Sequence, residues 1–199
     1  MADLRTATET FVTLLVITDP IGNVPTFLGV TQGRSAEARR RLAGQAVLVA
    51  SGVLAVFALF GQQIIGYLGI TLPALQVSGG LLLLLVSLQL LTGKDQEISS
   101  SEGVNVALVP LATPLIAGPG AIAATLVFAG RVHTAAEGGL FGLALLMVMA
   151  VLYVVLRYSV YLAKLLREGG IALLTRVFAL LLAAIAVELA AQGVKGFGF

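Results

Sequence analysis

Six long apolar segments, separated by short polar connections, constrain this chain more than any other feature. A transmembrane helix needs about 20 mostly apolar residues to cross a bilayer core about 30 Å thick. Each of the six segments is long enough to do so. The sequence therefore predicts an all-α integral membrane protein with six transmembrane helices, in a single membrane domain over residues 1–199. The segments cover residues 11–30, 42–68, 73–91, 104–129, 138–160 and 171–191.

Composition excludes most soluble functions. Of the residues, 58% are hydrophobic and only 11% are charged, whereas soluble domains carry about 25% charge. Such a chain is not expected to be disordered or to bind nucleic acid. It has no cysteine and one histidine, so we expect no metal, and no nucleotide-binding glycine pattern indicates a cofactor. We also predict no enzyme and no catalytic residue, because an intramembrane protease needs two aspartates and only Asp19 lies within a span.

The basic residues are distributed unequally between the two sides that six spans would create. If the connections after spans one, three and five are cytoplasmic, nine of the twelve Lys and Arg residues lie inside. Because cytoplasmic loops carry an excess of Lys and Arg, this bias predicts that both termini lie outside the cytoplasm. The nine are Arg34, Arg39, Arg40, Arg41, Lys94, Arg157, Lys164, Arg167 and Arg176, and the other three are Arg5, Arg131 and Lys195.

Spans one and four share an unusual pair of prolines. Pro20 and Pro25 lie five residues apart in the first span, and Pro114 and Pro119 lie five residues apart in the fourth. The two pairs are offset by 94 residues, and spans two and five begin at a similar offset. Three spans per half would place the halves in opposite orientations, so we predict two inverted repeats. The predicted repeats cover about residues 8–92 and 104–193.

These prolines fall near the middle of the membrane. Asp19 lies eight residues after Phe11, about 12 Å along a helix, and Pro114 lies about 15 Å into the fourth span. Proline removes a backbone donor and clashes with the preceding turn, so both helices should be broken there. Irregular backbone at this depth needs cover from protein or a water-filled cavity. Matched breaks in inverted halves are typical of a transporter's substrate site, although prolines also serve only to shape helix packing.

The residue before the first proline of each pair is a good helix cap. Asp19 before Pro20, and Thr113 before Pro114, predict an N-cap followed by proline at the first helical position. A new half-helix would then start at each break, with its free N–H groups and positive dipole end facing the membrane centre. Such an end favours an anion such as a carboxylate.

Asp19 is the strongest single candidate for a functional residue, because a carboxylate at this depth is costly unless it is paired or protonated. It would bind a substrate ammonium, carry a proton or belong to a cation site, or else it only caps a helix. Asn23 lies one helical turn further on, where it either binds a substrate carboxylate or satisfies unwound backbone. Gly22, Gly118 and Gly120 would expose N–H groups to a ligand, although close helix packing is an equally ordinary use of glycine.

The two motifs resemble those of the MarC family of six-span bacterial inner-membrane proteins, also described as a neutral amino acid transporter family. They read DPIGNVP over residues 19–25 and PLATPLIAGPG over residues 110–120. The likeness extends over essentially the whole chain. It implies a multi-pass protein of the bacterial inner membrane that transports small neutral amino acids.

The residues and the resemblance together lead to the hypothesis of a secondary transporter with alternating access around a midplane site between spans one and four. The amino acid carboxylate would lie near Asn23 and residues 118–120, and its ammonium near Asp19, which is also the candidate for H⁺ or Na⁺ coupling. The alternative is an exporter or channel for other small solutes or drugs. The expected partners are the amino acid and the lipid bilayer, with a homo-oligomer left open. The predicted substrate-binding residues are Asp19, Gly22, Asn23, Thr113, Gly118 and Gly120, and the predicted helix-break residues are Pro20, Pro25, Pro114 and Pro119.

Overall fold

The structure, a computed structural model, describes residues 2–92 and 116–198. The regular elements in these two ranges are helices, as the apolar segments predict. They are α1 (Ala2–Thr18), α2 (Asn23–Val30), α3 (Ala36–Tyr67), α4 (Leu72–Thr92), α5 (Pro119–Ala129), α6 (Ala135–Arg157) and α7 (Ser159–Gly196).

Four of these helices are long and apolar enough to cross a membrane: α3, α4, α6 and the Gly169–Gly196 part of α7. The α1 and α2 helices make a fifth span if the bent pair is counted as one. Five of the six predicted segments therefore correspond to membrane-span-capable helices. The remaining one, residues 104–129, lies partly outside the described residues, and α5 occupies its described end.

The connection expected between the last two predicted spans is itself helical. α7 starts at Ser159 and is kinked at Arg167, whose φ of 55° and ψ of 174° are not helical. Residues 160–166 are Val, Tyr, Leu, Ala, Lys, Leu and Leu, and most of these side chains favour a helix. Short polar connections in this chain are therefore not all loops.

Two connections show why helices begin where they do. Ser35 precedes α3, and its side chain accepts a hydrogen bond from the Ala38 N–H at 3.2 Å. Thr134 precedes α6 and forms a reciprocal capping box with Glu137, which satisfies two backbone donors at once. These caps fix the starts of the second and fifth predicted spans.

Glycines allow α4 to pack closely along α7. A Cβ atom added to Gly80 would lie 2.6 Å from the Ala186 carbonyl oxygen, and one added to Gly193 would lie 2.7 Å from the Pro73 carbonyl oxygen. Small residues at such contacts let membrane helices approach with their backbones. Elsewhere α1 packs against α6, and α5 packs against both α3 and α4.

The outer faces of the long helices carry many exposed apolar side chains. In water this arrangement would be unfavourable, whereas lipid solvates such side chains as well as a protein core does. The fold is that of a helical membrane protein whose buried core lies between the helices. Examples of these exposed residues are Leu48, Leu59, Leu81, Leu146 and Leu180.

Candidate functional site

The first predicted helix break is present, between α1 and α2. α1 ends at Thr18, α2 begins at Asn23, and the two helix axes differ in direction by 46°. Pro20 has no N–H to continue the helix, and the residue before a proline avoids the helical region. Asp19 takes up a φ of 35° in this turn, which is rare for a residue other than glycine but tolerated by aspartate.

The Asp19 carboxylate is buried in this turn, with 6% of the residue exposed. Its Oδ1 accepts a hydrogen bond from the Gly22 N–H at 3.0 Å. A Cβ atom at Gly22 would collide with the same carboxylate. Residue 22 therefore has to be glycine for Asp19 to occupy this position.

Asn23 completes the turn from the other side. Its Nδ2 donates to the Thr18 carbonyl oxygen at 2.6 Å, in a buried hydrogen bond. In a continuous helix the Gly22 N–H would bond this same carbonyl, four residues earlier. One helical hydrogen bond, from the Gly22 N–H to the Thr18 carbonyl, is therefore missing. The Asp19 carboxylate accepts from its donor, and the Asn23 amide donates to its acceptor. This arrangement satisfies the backbone groups of the interrupted helix without water.

The predicted start of the second half-helix at Pro20, with Asp19 as its N-cap, is wrong. Gly22 is the N-cap, and α2 begins three residues later than predicted, because Asp19 closes a turn instead of preceding a helix. The N–H groups of Asn23 and Val24 donate to Asp19 O at 3.1 Å and Ile21 O at 3.0 Å. The start of α2 therefore has its N–H groups engaged within the turn, contrary to the expectation that they face a ligand.

The second predicted break is described from residue 116 onward, and there α5 begins differently from α2. Thr113 and Pro114 lie outside the described residues, so the predicted half-helix start there is not described. α5 begins at Pro119, with Gly118 as an extended N-cap that makes no side-chain cap hydrogen bond. Proline at the first helical position fits because its missing N–H needs no partner there. In this span the pattern of an N-cap residue followed by proline is thus found at Gly118 and Pro119.

Gly120 lies one residue further along α5 and is buried. A Cβ atom at this position would collide with the side chain of Leu83 on α4. The close-packing alternative for this glycine is therefore seen directly, and a role in substrate binding stays a prediction.

The fold brings the two breaks into one apolar core. Leu14 and Phe27 flank the first break, Ile116 and Ala117 lie in the second, and all four belong to the same cluster of buried side chains. Among the buried side chains in the described ranges, Asp19 is the one that carries a formal charge. The predicted residues Asp19, Gly22 and Asn23 are thus adjacent to each other and share a core with the start of α5.

The predicted site did not include Arg39. This side chain is half-buried, and its Nε donates to Thr31 Oγ1 at 3.1 Å while Nη2 donates to Thr31 O at 3.4 Å. Thr31 is the fully buried C-cap residue that follows α2. Arg39 therefore anchors the far end of α2, a role that the interpretation of the basic loop as a topology signal missed. No local pattern in the sequence indicates this bond, because the two residues are joined by the turn between α2 and α3.

These observations define an integral, multi-pass α-helical membrane protein with a polar interruption in its first span. Residues 4–197 match the MarC family of integral membrane proteins. The chain belongs to this family, as its two motifs predict.

Relatives in both archaea and bacteria are similar over nearly their full lengths. A UPF0056 membrane protein of Methanocaldococcus jannaschii is 35% identical, with 98% of each chain covered. The UPF0056 membrane protein YvbG of Bacillus subtilis is 32% identical over 94% of this chain and 92% of its own. YhcE of Escherichia coli, also a UPF0056 membrane protein, is 30% identical over 94% of this chain and 90% of its own. No solved structure matches the chain.

Proposed function

We propose that this protein is a secondary transporter of small neutral amino acids across the bacterial inner membrane. The observation that carries the proposal is the first helix break, which buries the Asp19 carboxylate in the same core as the start of α5. A formal charge inside a membrane protein is costly and usually serves a function. A non-helical backbone at this depth is likewise typical of transporter binding sites.

The two breaks suit the two ends of an amino acid. The Asp19 carboxylate would attract the substrate ammonium, because opposite charges interact strongly away from water. The start of α5 at Gly118 and Pro119 would receive the substrate carboxylate, since a helix N-terminus favours anions. With Asp19 as the one buried formal charge in the described ranges, the site favours a substrate whose side chain is uncharged.

The packing between helices supports two inverted repeats. The 94-residue offset pairs α2 with α5, α3 with α6 and α4 with α7, whereas the counterpart of α1 lies outside the described residues. Exchanging these pairs turns the α2–α6 contact into the α5–α3 contact and the α2–α7 contact into the α5–α4 contact, and it leaves the α3–α6 and α4–α7 contacts unchanged. A rocking motion of one half against the other would expose the site alternately to each side. Asp19 is our candidate for H⁺ or Na⁺ coupling in this cycle.

The direct test is flux in proteoliposomes that contain the purified protein and a radiolabelled neutral amino acid such as alanine. The unaltered protein should give saturable uptake and counterflow. Asp19→Asn removes the charge but keeps an oxygen that accepts from Gly22, and should lower flux roughly 30-fold or more, since leaving one partner of a buried charge pair alone costs about 2–5 kcal/mol. Asn23→Ala should also abolish flux.

Glu188→Gln provides the matched control, because Glu188 is an exposed acid on the last span and its loss should change flux less than about twofold. Each variant is first shown to insert in the membrane fraction. Unchanged flux in both Asp19→Asn and Asn23→Ala would refute this site. Uptake without saturation or counterflow, or competition only by drugs and unrelated solutes, would favour the channel or exporter alternative.

A further inference from the structure

A cavity of about 140 Å³ lies at the end of the molecule where α1 begins. Thr10 of α1 and Phe128 of α5 both line it, so these two residues lie at about the same depth in the molecule. Both helices run from here toward the breaks described above, α1 in its forward direction and α5 in reverse. The cavity is therefore joined to the proposed substrate site by two helices.

The cavity also carries charges of both signs. Glu9, Glu137 and Arg131 are among its lining residues. Arg131 is held in place, since its Nη2 donates to Gln192 Oε1 at 3.1 Å and its guanidinium lies 5.5 Å from the centre of the Phe128 ring. A cavity with both signs of charge suits a net-neutral solute that has a positive and a negative end.

One face of each helix leads inward from the cavity. On α1, Thr10, Leu14 and Thr18 follow at one-turn intervals, and each is at most 2% exposed. On α5, the positions of Phe128, Thr125 and Ala121 lie on one face by the same helical spacing. The distance from Thr10 to Thr18 is about 12 Å, and that from Phe128 to Ala121 is about 10 Å.

Thr125 has an unusual environment on this inward face. It is fully buried, and its Oγ1 has no hydrogen-bond partner in the described part of the chain. A threonine inside a helix commonly bonds the carbonyl four residues earlier, and a buried hydroxyl without a partner is unfavourable. Such a hydroxyl is suited to a solute or water that passes by.

Leu14 lies at about the same depth on the opposite helix. It is one turn inward from Thr10, as Thr125 is one turn inward from Phe128, and it is fully buried within the core that includes both breaks. An apolar side chain at this level would separate the cavity from the site. By this spacing Leu14 and Thr125 lie at about the same level between the cavity and the breaks.

We infer that the cavity is the mouth of a substrate route between α1 and α5, and that Leu14 closes this route at the level of Thr125. The route leads from the cavity past Thr125 to the turn at Asp19. This inference rests on the proposed function, because it assumes a substrate site at the breaks. It adds the side from which that site is reached and the side chain that blocks it.

The absence of cysteine from the chain makes thiol labelling a clean test. Single cysteines are placed at Ala7, which lines the cavity and is half-buried, and at Thr125, and a charged, membrane-impermeant methanethiosulfonate is added to right-side-out and to inverted vesicles. Ala7→Cys should react from one side and thereby report which side the cavity faces. Thr125→Cys should react from that same side at least roughly tenfold more slowly, because a buried group reacts only when the structure opens locally.

The gate itself is tested by shortening Leu14 in the Thr125→Cys background. Both Leu14→Ala and the milder Leu14→Val should accelerate labelling, by roughly tenfold for alanine, since each leaves a void at this level. Val12→Ala is the matched control, because Val12 is on the same helix and is 49% exposed. It should leave the labelling rate unchanged.

The inference is overturned if neither Leu14 variant labels faster than the Val12→Ala control, or if Thr125→Cys reacts only from the side opposite to Ala7→Cys. Labelling requires no amino acid, so this result is separate from the flux result. Gated labelling without flux would retain the route and refute the proposed function. Flux that depends on Asp19 without gated labelling would retain the function and place the route elsewhere.

Discussion

The first helix break and the described part of the second, residues 116–118, differ in how the next helix begins. In the first, Asp19 and Asn23 supply side-chain groups for the Gly22 N–H and the Thr18 carbonyl, so the interruption is closed by its own residues. In the second, Gly118 caps α5 without a side chain. One break thus contributes a fixed negative charge, whereas the other contributes a helix N-terminus. A substrate with two unlike ends would exploit this difference.

The offset between the two proline pairs shows which residues of the first break have no equivalent in the second. A shift of 94 residues pairs Asp19 with Thr113, Gly22 with Ile116 and Asn23 with Ala117. The prolines are repeated, but the acid and the amide are not. We therefore expect the first break to be sensitive to changes in its side chains and the second to changes in its packing.

The largest effect is expected from Gly22→Ala. The added methyl group collides with the buried Asp19 carboxylate, and overpacking of this kind costs about 1–3 kcal/mol. The carboxylate would also leave its position, so flux should fall together with thermal stability in detergent. Gly29→Ala is the control, because it lies on the same helix with nothing within 4 Å of the added atom. It should be neutral or stabilise by about 0.5–1 kcal/mol. Equal stability of the two variants would show that the turn is not constrained as described.

Asn23→Ala should have the next largest effect on stability. It leaves the buried Thr18 carbonyl without the 2.6 Å bond from Nδ2, and an unsatisfied buried acceptor costs about 1–3 kcal/mol. Thermal unfolding in detergent measures the loss. Thr26→Ala, on the same helix and half-buried, should change stability by less than about 0.5 kcal/mol. If Asn23→Ala unfolds at the temperature of the unaltered protein, the amide does not stabilise the turn. The first break would then, like the start of α5, not depend on a side-chain amide.

The sequence predicts the existence of the breaks better than their geometry. Pro20 and Pro119 each rule out a continuous helix through their surroundings. Long apolar runs locate the spans, but α1 begins nine residues and α7 twelve residues before the predicted segment. The start of α2 differs from its predicted position because Asp19 can either cap a helix or adopt a left-handed turn. Only the packing around Gly22 decides between these two conformations. Local patterns are equally unable to indicate the bond from Arg39 to Thr31.

Glycine roles were the least predictable part of the site. Gly22 makes room for a carboxylate within its own turn, whereas Gly120 makes room for Leu83 on another helix. A sequence shows neither neighbour, since both depend on how the chain folds back on itself. The same limit applies to Thr125, whose burial without a partner follows from tertiary packing.

The smallest effect is expected in the second break, from Gly120→Ala. The added methyl meets the end of the Leu83 side chain, which is flexible, so the cost should lie near the lower end of the roughly 1–3 kcal/mol for overpacking. The double variant Gly120→Ala with Leu83→Ala should lose less stability than the two single variants added together, because the two sites are in contact and their effects are not additive. Thermal unfolding of the two single variants and the double variant gives the coupling. Strict additivity would mean that Gly120 does not serve α4 packing. A large loss of flux in Gly120→Ala at nearly unaltered thermal stability would assign Gly120 to the substrate and make the second break as chemically specific as the first.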